Sequence, residues 1–229
     1  MRFFIDSAKI EEIDDAFIRF GISGVTTNPV HIKAGGQTLS QFIDSITRWL
    51  KTNDLIGNDV FPVFLEVNPH YESAQEIVSA AEAIAEQCEN FVIKVPPTPE
   101  GISATRILSK KKVSVAVTLV FTLVQAMVAA FAGPTYIATF ISWQENKGLD
   151  TASFIQNTLS QIRKRGLETR VLAASVKTGK HMNDALVAGA EYLTCGYSVY
   201  EGIFDNPYTV MGLNMFKQAW NSTEIMSEG

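Results

Sequence analysis

The chain reads as an α/β protein, a single-domain (β/α)8 TIM barrel with a C-terminal helix. Three observations predict this. Short β-rich runs alternate with longer amphipathic runs eight times over. Several of the short runs are apolar on both faces, as in a parallel sheet covered by helices outside and filled inside. No Pro/Gly/Ser-rich linker divides residues 1–229, so the units read as one domain of barrel size. A doubly wound open sheet is the rival, and the first strand lacks the Gly-x-Gly-x-x-Gly turn that would favour a dinucleotide fold.

The units follow in order. Residues 3–6 form the first strand. Residues 9–20 form its helix, with Ile10, Ile13, Phe17 and Phe20 on one face. Residues 22–27 precede a helix around 39–50. Strand 61–67 precedes an alanine-rich helix over 73–87, and strand 91–95 a helix over 101–109. Strand 113–118 goes with helix 123–131, strand 136–140 with helix 151–165, and strand 171–174 with helix 181–188. The eighth strand, 192–195, leads through a turn to a last helix over 208–220.

Composition narrows the function. The formal net charge of -5 argues against nucleic acid or an anionic membrane as the main partner, since both need a basic face. A small anionic substrate needs only a local cluster of positive charge. The two cysteines, Cys88 and Cys195, are too sparse for a secreted disulfide framework. Cys195 ends the eighth strand and reads as a small buried hydrophobe. The N-terminus has no apolar core of signal-peptide length. The most apolar stretch, 113–131, is interrupted by Ser114, Thr118, Thr122 and Gln125 and reads as buried strand and helix rather than a membrane span. The default compartment is cytoplasmic. His70 and His181 lack metal-spaced partners, so neither metal nor cofactor is expected. Gly35-Gly36 reads as a loop, and Trp220 as a packing or subunit contact.

Barrel enzymes place their chemistry at the C-terminal ends of the strands. Polar residues gather there: Asp6, Thr26-Thr27-Asn28, Glu66, Lys94, Thr118, Ser142 and Ser175-Val176-Lys177. Each has a plain structural reading. Asp6, Thr118 and Ser175 could cap helices, Thr27-Asn28-Pro29 could be a turn, and Glu66 and Lys94 a buried ion pair. Lys94 is the least ordinary. It ends an apolar strand, shares a face with Val92, and is followed by Val95-Pro96-Pro97. In a barrel mouth an amine is desolvated, which favours its neutral form. A neutral amine can attack a ketone to form an iminium, an electron sink for cleaving the neighbouring C–C bond. Asp6 and Glu66 would supply the proton transfers. On pattern alone, this Schiff-base reading and a structural lysine both remain open.

Three blocks carry a resemblance. They are Phe4-Ile5-Asp6-Ser7-Ala8, Gly24-Val25-Thr26-Thr27-Asn28-Pro29, and Ile93-Lys94-Val95-Pro96-Pro97-Thr98-Pro99-Glu100-Gly101. Further matches fall at Thr118-Leu119-Val120-Phe121, Gln125-Ala126, Leu172-Ala173-Ala174-Ser175 and Phe216-x-x-x-Trp220. Together they resemble the transaldolases and the short fructose-6-phosphate aldolases of the same family. The resemblance implies Lys94 as the Schiff-base lysine and Asp6 as the acid/base at the C4 hydroxyl. It implies Glu66 as a proton carrier working through a water held by Thr118. Asn28 and Thr27 would contact the substrate's hydroxyls near the imine. Ser142, Ser175 and Lys177 would take its anionic tail, and His31 would line the pocket.

Glu66 and Phe140 are similar to the transaldolase choices, where the aldolases carry glutamine and tyrosine. This favours transfer of a dihydroxyacetone unit over its release. Two positions depart. Trp143 stands where the family presents an arginine to phosphate, and Ala116 where transaldolases carry asparagine. Tryptophan offers one N–H where arginine grips an oxyanion bidentately. A monoanionic sulfonate tail, as in 6-deoxy-6-sulfofructose, loses less by that exchange than a phosphate. Alternatively Lys33, His31 or Lys177 supplies the missing charge, and both tails stay open. The expected partner is thus a small sugar phosphate or sugar sulfonate. The resemblance also implies a homo-oligomer, a pentamer or decamer. A fructose-6-phosphate aldolase releasing free dihydroxyacetone, and an inactive sugar-binding barrel, are the alternatives.

Overall fold

The computed structural model describes residues 1–57, 60–145, 148 and 150–223. Its elements are β1 (Arg2–Asp6), α1 (Ile10–Phe20), β2 (Val25–Thr26), α2 (Pro29–Ala34), α3 (Leu39–Thr52), β3 (Val63–Glu66) and α4 (Ala74–Ala85). Then come β4 (Phe91–Val95), α5 (Pro99–Lys110), β5 (Val115–Val120), α6 (Leu123–Phe131), β6 (Tyr136–Phe140) and α7 (Ile141–Glu145). The chain continues through α8 (Thr151–Lys164), β7 (Arg170–Val176), α9 (Gly179–Val187), β8 (Tyr192–Cys195), α10 (Tyr197–Phe204) and α11 (Pro207–Asn221). The eight strands are parallel and close in sequence order into a barrel, β8 pairing with β1. The predicted fold is the observed one.

Local chemistry starts the helices where they start. Thr38 with Gln41, and Ser73 with Glu76, form reciprocal capping boxes for α3 and α4. Thr98 caps α5, with Pro99 in its first turn. Thr122, Asp150 and Thr178 each cap their helix through the side chain. Three helices were not expected. α2, α7 and α10 are six, five and eight residues long, too short for a helical period to stand out. The turn expected after β8 is therefore corrected to α10, and Ser142 and Trp143, expected at a strand end, lie in α7.

Strand alternation sorts the side chains into two cores. Phe91, Ile93 and Val95 face the helices in the large outer core, while Val92 lies in a second cluster inside the barrel. That inner cluster also holds Phe4, Phe64, Ala116, Tyr136, Leu172 and the small Ala138 and Ala174. Its lower part is a ring-on-ring plug. Phe64 and Tyr136 centroids lie 4.9 Å apart, Tyr136 and Tyr192 5.3 Å, Tyr192 and Phe4 5.6 Å. Above it the inward residues shrink to alanines, and the space they leave opens at the C-terminal mouth.

Candidate active site

The same parity that buries the plug carries polar groups up into the mouth. Two positions beyond Phe4, Phe64 and Val92 come Asp6, Glu66 and Lys94, all facing a cavity of about 410 Å³. Glu66 and Lys94 are register partners on β3 and β4.

Lys94 is buried, and its Nζ is held from two sides. It donates to the Thr27 carbonyl at 2.7 Å and lies 3.1 Å from Glu66 Oε2. An amine fixed by two oxygens has lost its freedom to swing, which pre-orients its lone pair when the proton leaves. Asp6 accepts from the Thr26 hydroxyl at 2.7 Å and lies 3.1 Å from His31 Nδ1. Burial pushes its carboxyl up. The hydrogen bond and charge of His31, the charge of Lys94 and the Thr26 hydroxyl outweigh that, and the net direction is down. Asp6 is therefore a carboxylate at neutral pH, ready to take a proton before it gives one. Asn28 caps α2, its Oδ1 accepting from the N–H groups of Val30 and His31 at 2.9 and 3.1 Å. Its amide Nδ2 lies 3.4 Å from His31 Nδ1, which leaves one of its two N–H groups to offer a ligand.

Two of the strands break alternation at the mouth. In β5 the register shifts between Val117 and Val120, and Leu119 is left-handed at φ 54°. In β7 it shifts between Ala173 and Val176, and Ser175 is left-handed at φ 56°. Each shift turns two consecutive residues toward the cavity, Thr118 with Leu119 and Ala174 with Ser175. A non-glycine residue in that region costs about 1–2 kcal/mol, and such strain gathers where a side chain must be aimed.

Of the residues expected here, the cavity brings together Asp6, Asn28, His31, Glu66, Lys94 and Thr118. Phe140, Trp143, Ser175 and Lys177 line its outer part. Thr27 and Ser142 do not line it. The Thr27 hydroxyl donates to the Phe64 carbonyl at 2.8 Å, and Thr27 serves the site through its own carbonyl. Ser142 Oγ lies 2.7 Å from Ser175 Oγ, behind the wall. Thr26, one residue before Thr27, is the threonine that faces in, and Thr194 backs it at 2.7 Å. The alternation of β2 could have found it. Leu119 had no signal in the sequence, because its inward turn depends on the bulge. Trp143 is half-exposed at the rim, stacked on Phe121 at 5.7 Å and edge-on to Phe140 at 6.1 Å. Among the described lining residues the basic side chains are Lys94, Lys177 and His31, with no arginine.

The arrangement can perform one kind of chemistry well. A buried amine beside a carboxylate can condense with a ketone. A second carboxylate, ionised and across the mouth, can take a hydroxyl proton as a C–C bond breaks.

The family model described as transaldolase/fructose-6-phosphate aldolase matches residues 3–228. The chain is 38% identical over 223 residues to proteins named 6-deoxy-6-sulfo-D-fructose transaldolase from Priestia aryabhattai and Priestia megaterium, spanning 97% of this chain and 96% of each relative. It is 33% identical over 222 residues to a probable transaldolase of Brachyspira hyodysenteriae, spanning 97% of this chain and 98% of that one.

Proposed function

Because the chain belongs to the transaldolase/fructose-6-phosphate aldolase family and is an enzyme of its class I, Schiff-base type, we propose that Lys94 forms the covalent intermediate. The transfer is of a dihydroxyacetone unit, from a ketose with an anionic C6 tail to an acceptor aldehyde. The observation that carries this reading is the Lys94 amine held between Glu66 Oε2 at 3.1 Å and the Thr27 carbonyl at 2.7 Å.

The steps balance as follows. Lys94 Nζ adds to C2 of the ketose, and water leaves as the iminium forms, with Glu66 and Thr118 handling its protons. Asp6 takes the C4 hydroxyl proton, and the C3–C4 bond breaks. Its electron pair moves into the iminium as an enamine, and the tail leaves as an aldehyde. The acceptor aldehyde then enters, the enamine attacks it, and Asp6 returns the proton to the new C4 hydroxyl. Hydrolysis frees Lys94. Asn28 and His31 hold the hydroxyls, Phe140 walls the acceptor, and Ser175 and Lys177 hold the tail beside the rim at Trp143.

The tail is a sulfonate in this reading. A phosphate monoester carries about -1.5 to -2 charges at neutral pH, whereas a sulfonate carries one. Lys177 is the cation nearest Ser175 in sequence, and no arginine joins it among the described lining residues. The relatives named 6-deoxy-6-sulfo-D-fructose transaldolase support the same substrate. In this reading the enzyme works in the cytoplasm, where a sugar donor and acceptor meet. No helix of the described residues is long and apolar enough to cross a membrane. A homo-oligomer, a pentamer or decamer, fits the apolar residues that α11 leaves exposed, among them Leu213, Phe216 and Trp220.

The test is product analysis with 6-deoxy-6-sulfofructose or fructose 6-phosphate, with and without an acceptor aldehyde. Transfer is expected to exceed free dihydroxyacetone release at saturating acceptor, and the sulfonate is expected to have the higher kcat/KM. Release that ignores the acceptor would instead make the chain an aldolase.

A further inference from the structure

We propose that His181 and Glu145 are positioning residues that clamp together the two loops presenting the substrate's tail, a proposal that rests on Ser175 and Lys177 holding that tail. His181 sits in the first turn of α9 with its ring buried, the side chain 7% exposed. The Lys177 backbone N–H donates to its Nδ1 at 3.2 Å. A ring nitrogen that accepts bears no proton, so the proton of the neutral ring sits on Nε2. Nε2 faces the carboxylate of Glu145 and donates to it. Glu145 is the last residue of α7, two positions beyond Trp143.

One buried ring thus ties the backbone of residue 177 to the end of the helix that follows β6. The second tie between the same loops is the Ser142–Ser175 hydroxyl pair at 2.7 Å. Lys180 braces the carboxylate from outside, 3.1 Å from Glu145 and 2.6 Å from Asp184. An apolar side chain would fill the space under α9 without the cost of burying two ring nitrogens. The histidine instead spends each nitrogen on a different loop, and both loops end at the cavity's outer wall. Neither His181 nor Glu145 lines the cavity. Their influence passes through where Lys177 begins and where Trp143 sits, and small displacements of groups that position a substrate cost rate steeply.

The experiment uses four variants of the full chain. Glu145→Ala cuts the tie at a partly exposed residue, and Glu145→Gln keeps an oxygen acceptor for Nε2–H. His181→Asn keeps an acceptor near the Lys177 N–H but cannot reach Glu145, and His181→Gln does the reverse. The substrates are fructose 6-phosphate, 6-deoxy-6-sulfofructose and tail-less fructose. Glu145→Ala is expected to raise KM for the two tailed ketoses by about tenfold, leaving their kcat nearly unchanged. Fructose turnover and borohydride trapping with dihydroxyacetone should match wild type. Glu145→Gln should recover most of the loss, and each histidine variant should show a partial one. Equal losses on tailed and tail-less ketoses would overturn the clamp in favour of a general structural role. Four variants with wild-type KM values would overturn it outright. If wild type itself does not discriminate tailed from tail-less ketose, the tail assignment of Ser175 and Lys177 falls, and the clamp with it.

Discussion

In the proposed reaction Asp6 and Lys94 divide the chemistry by their surroundings. Asp6 is kept ionised by His31, Lys94 and Thr26 despite its burial, and Lys94 is held against Glu66 and a carbonyl. Asp6→Asn is expected to lower turnover by about 10²–10⁴-fold while still allowing an adduct at Lys94, since the carboxylate acts after the iminium forms. The same residue links stability to pH. Its folded-state carboxyl titrates below the ordinary value of 3.8. Its contribution to stability is therefore present above that value and is lost as pH falls through the lowered one. In urea melts, the stability difference between wild type and Asp6→Asn should be larger at neutral pH than in acid. A difference that grew on acidification would contradict the shift. At the rim, Trp143→Arg adds a bidentate donor beside Ser175 and Lys177. It is expected to move the phosphate-to-sulfonate ratio of kcat/KM toward phosphate by about tenfold, the low end for a hydrogen bond to a charged group, since the position is half-exposed. Asp6, Glu66 and Lys94 were legible because strand parity alone puts them beside Phe4, Phe64 and Val92. Thr27 was misplaced by one residue, since the same parity selects Thr26.

Among the elements, the strands were readable and their exceptions were not. Strict alternation along β7 would send Ser175 outward with Ala173, and only the left-handed turn at Ser175 brings it to the mouth. Nothing in the residue types of Leu119 or Ser175 announces that conformation, so their inward aim is a tertiary outcome. The His181–Glu145 pair joins residues 36 apart, and composition near either one gives no hint of it. The block after Lys94 is different, because its chemistry is local. Thr98 Oγ1 accepts from Gly101 N at 3.0 Å, and a Cβ on Gly101 would lie 2.0 Å from the Pro96 carbonyl oxygen. Gly101→Ala must push that loop aside, directly beyond the strand that carries Lys94. It is expected to destabilise the fold by about 2 kcal/mol or more, read from denaturant midpoints, with activity falling alongside. An unchanged midpoint would mean the loop yields freely.

For the molecule as a whole, the closed barrel has no sheet edge left, and its inner plug of aromatic rings holds the floor on which the site stands. What the barrel does not cover is α11. None of its residues is buried, and Tyr208, Met211, Leu213, Met215, Phe216 and Trp220 are all more than half-exposed. In the proposed oligomer this apolar helix is the association surface. A second copy of the chain is the occupant that the proposed oligomer supplies. Phe216→Glu combined with Trp220→Glu is expected to reduce the sedimenting mass toward the 25.2 kDa of one chain while leaving the barrel's circular dichroism intact. A wild type that sediments as a single chain would remove the oligomer. Trp220, expected as a packing or subunit contact, stands more than half-exposed, and the exposure of the whole helix was not legible, since its apolar pattern reads equally well as core.

The proposed catalysis runs through an imine on Lys94. Borohydride reduction in the presence of fructose 6-phosphate, read by intact mass and peptide mapping, tests it most directly. Wild type is expected to gain one reduced three-carbon adduct, confined to the peptide containing Lys94, and Lys94→Ala to gain none and to lose turnover while keeping its fold. An adduct that persists in Lys94→Ala, or substantial turnover by that variant, would rule out Lys94 as the imine-forming amine.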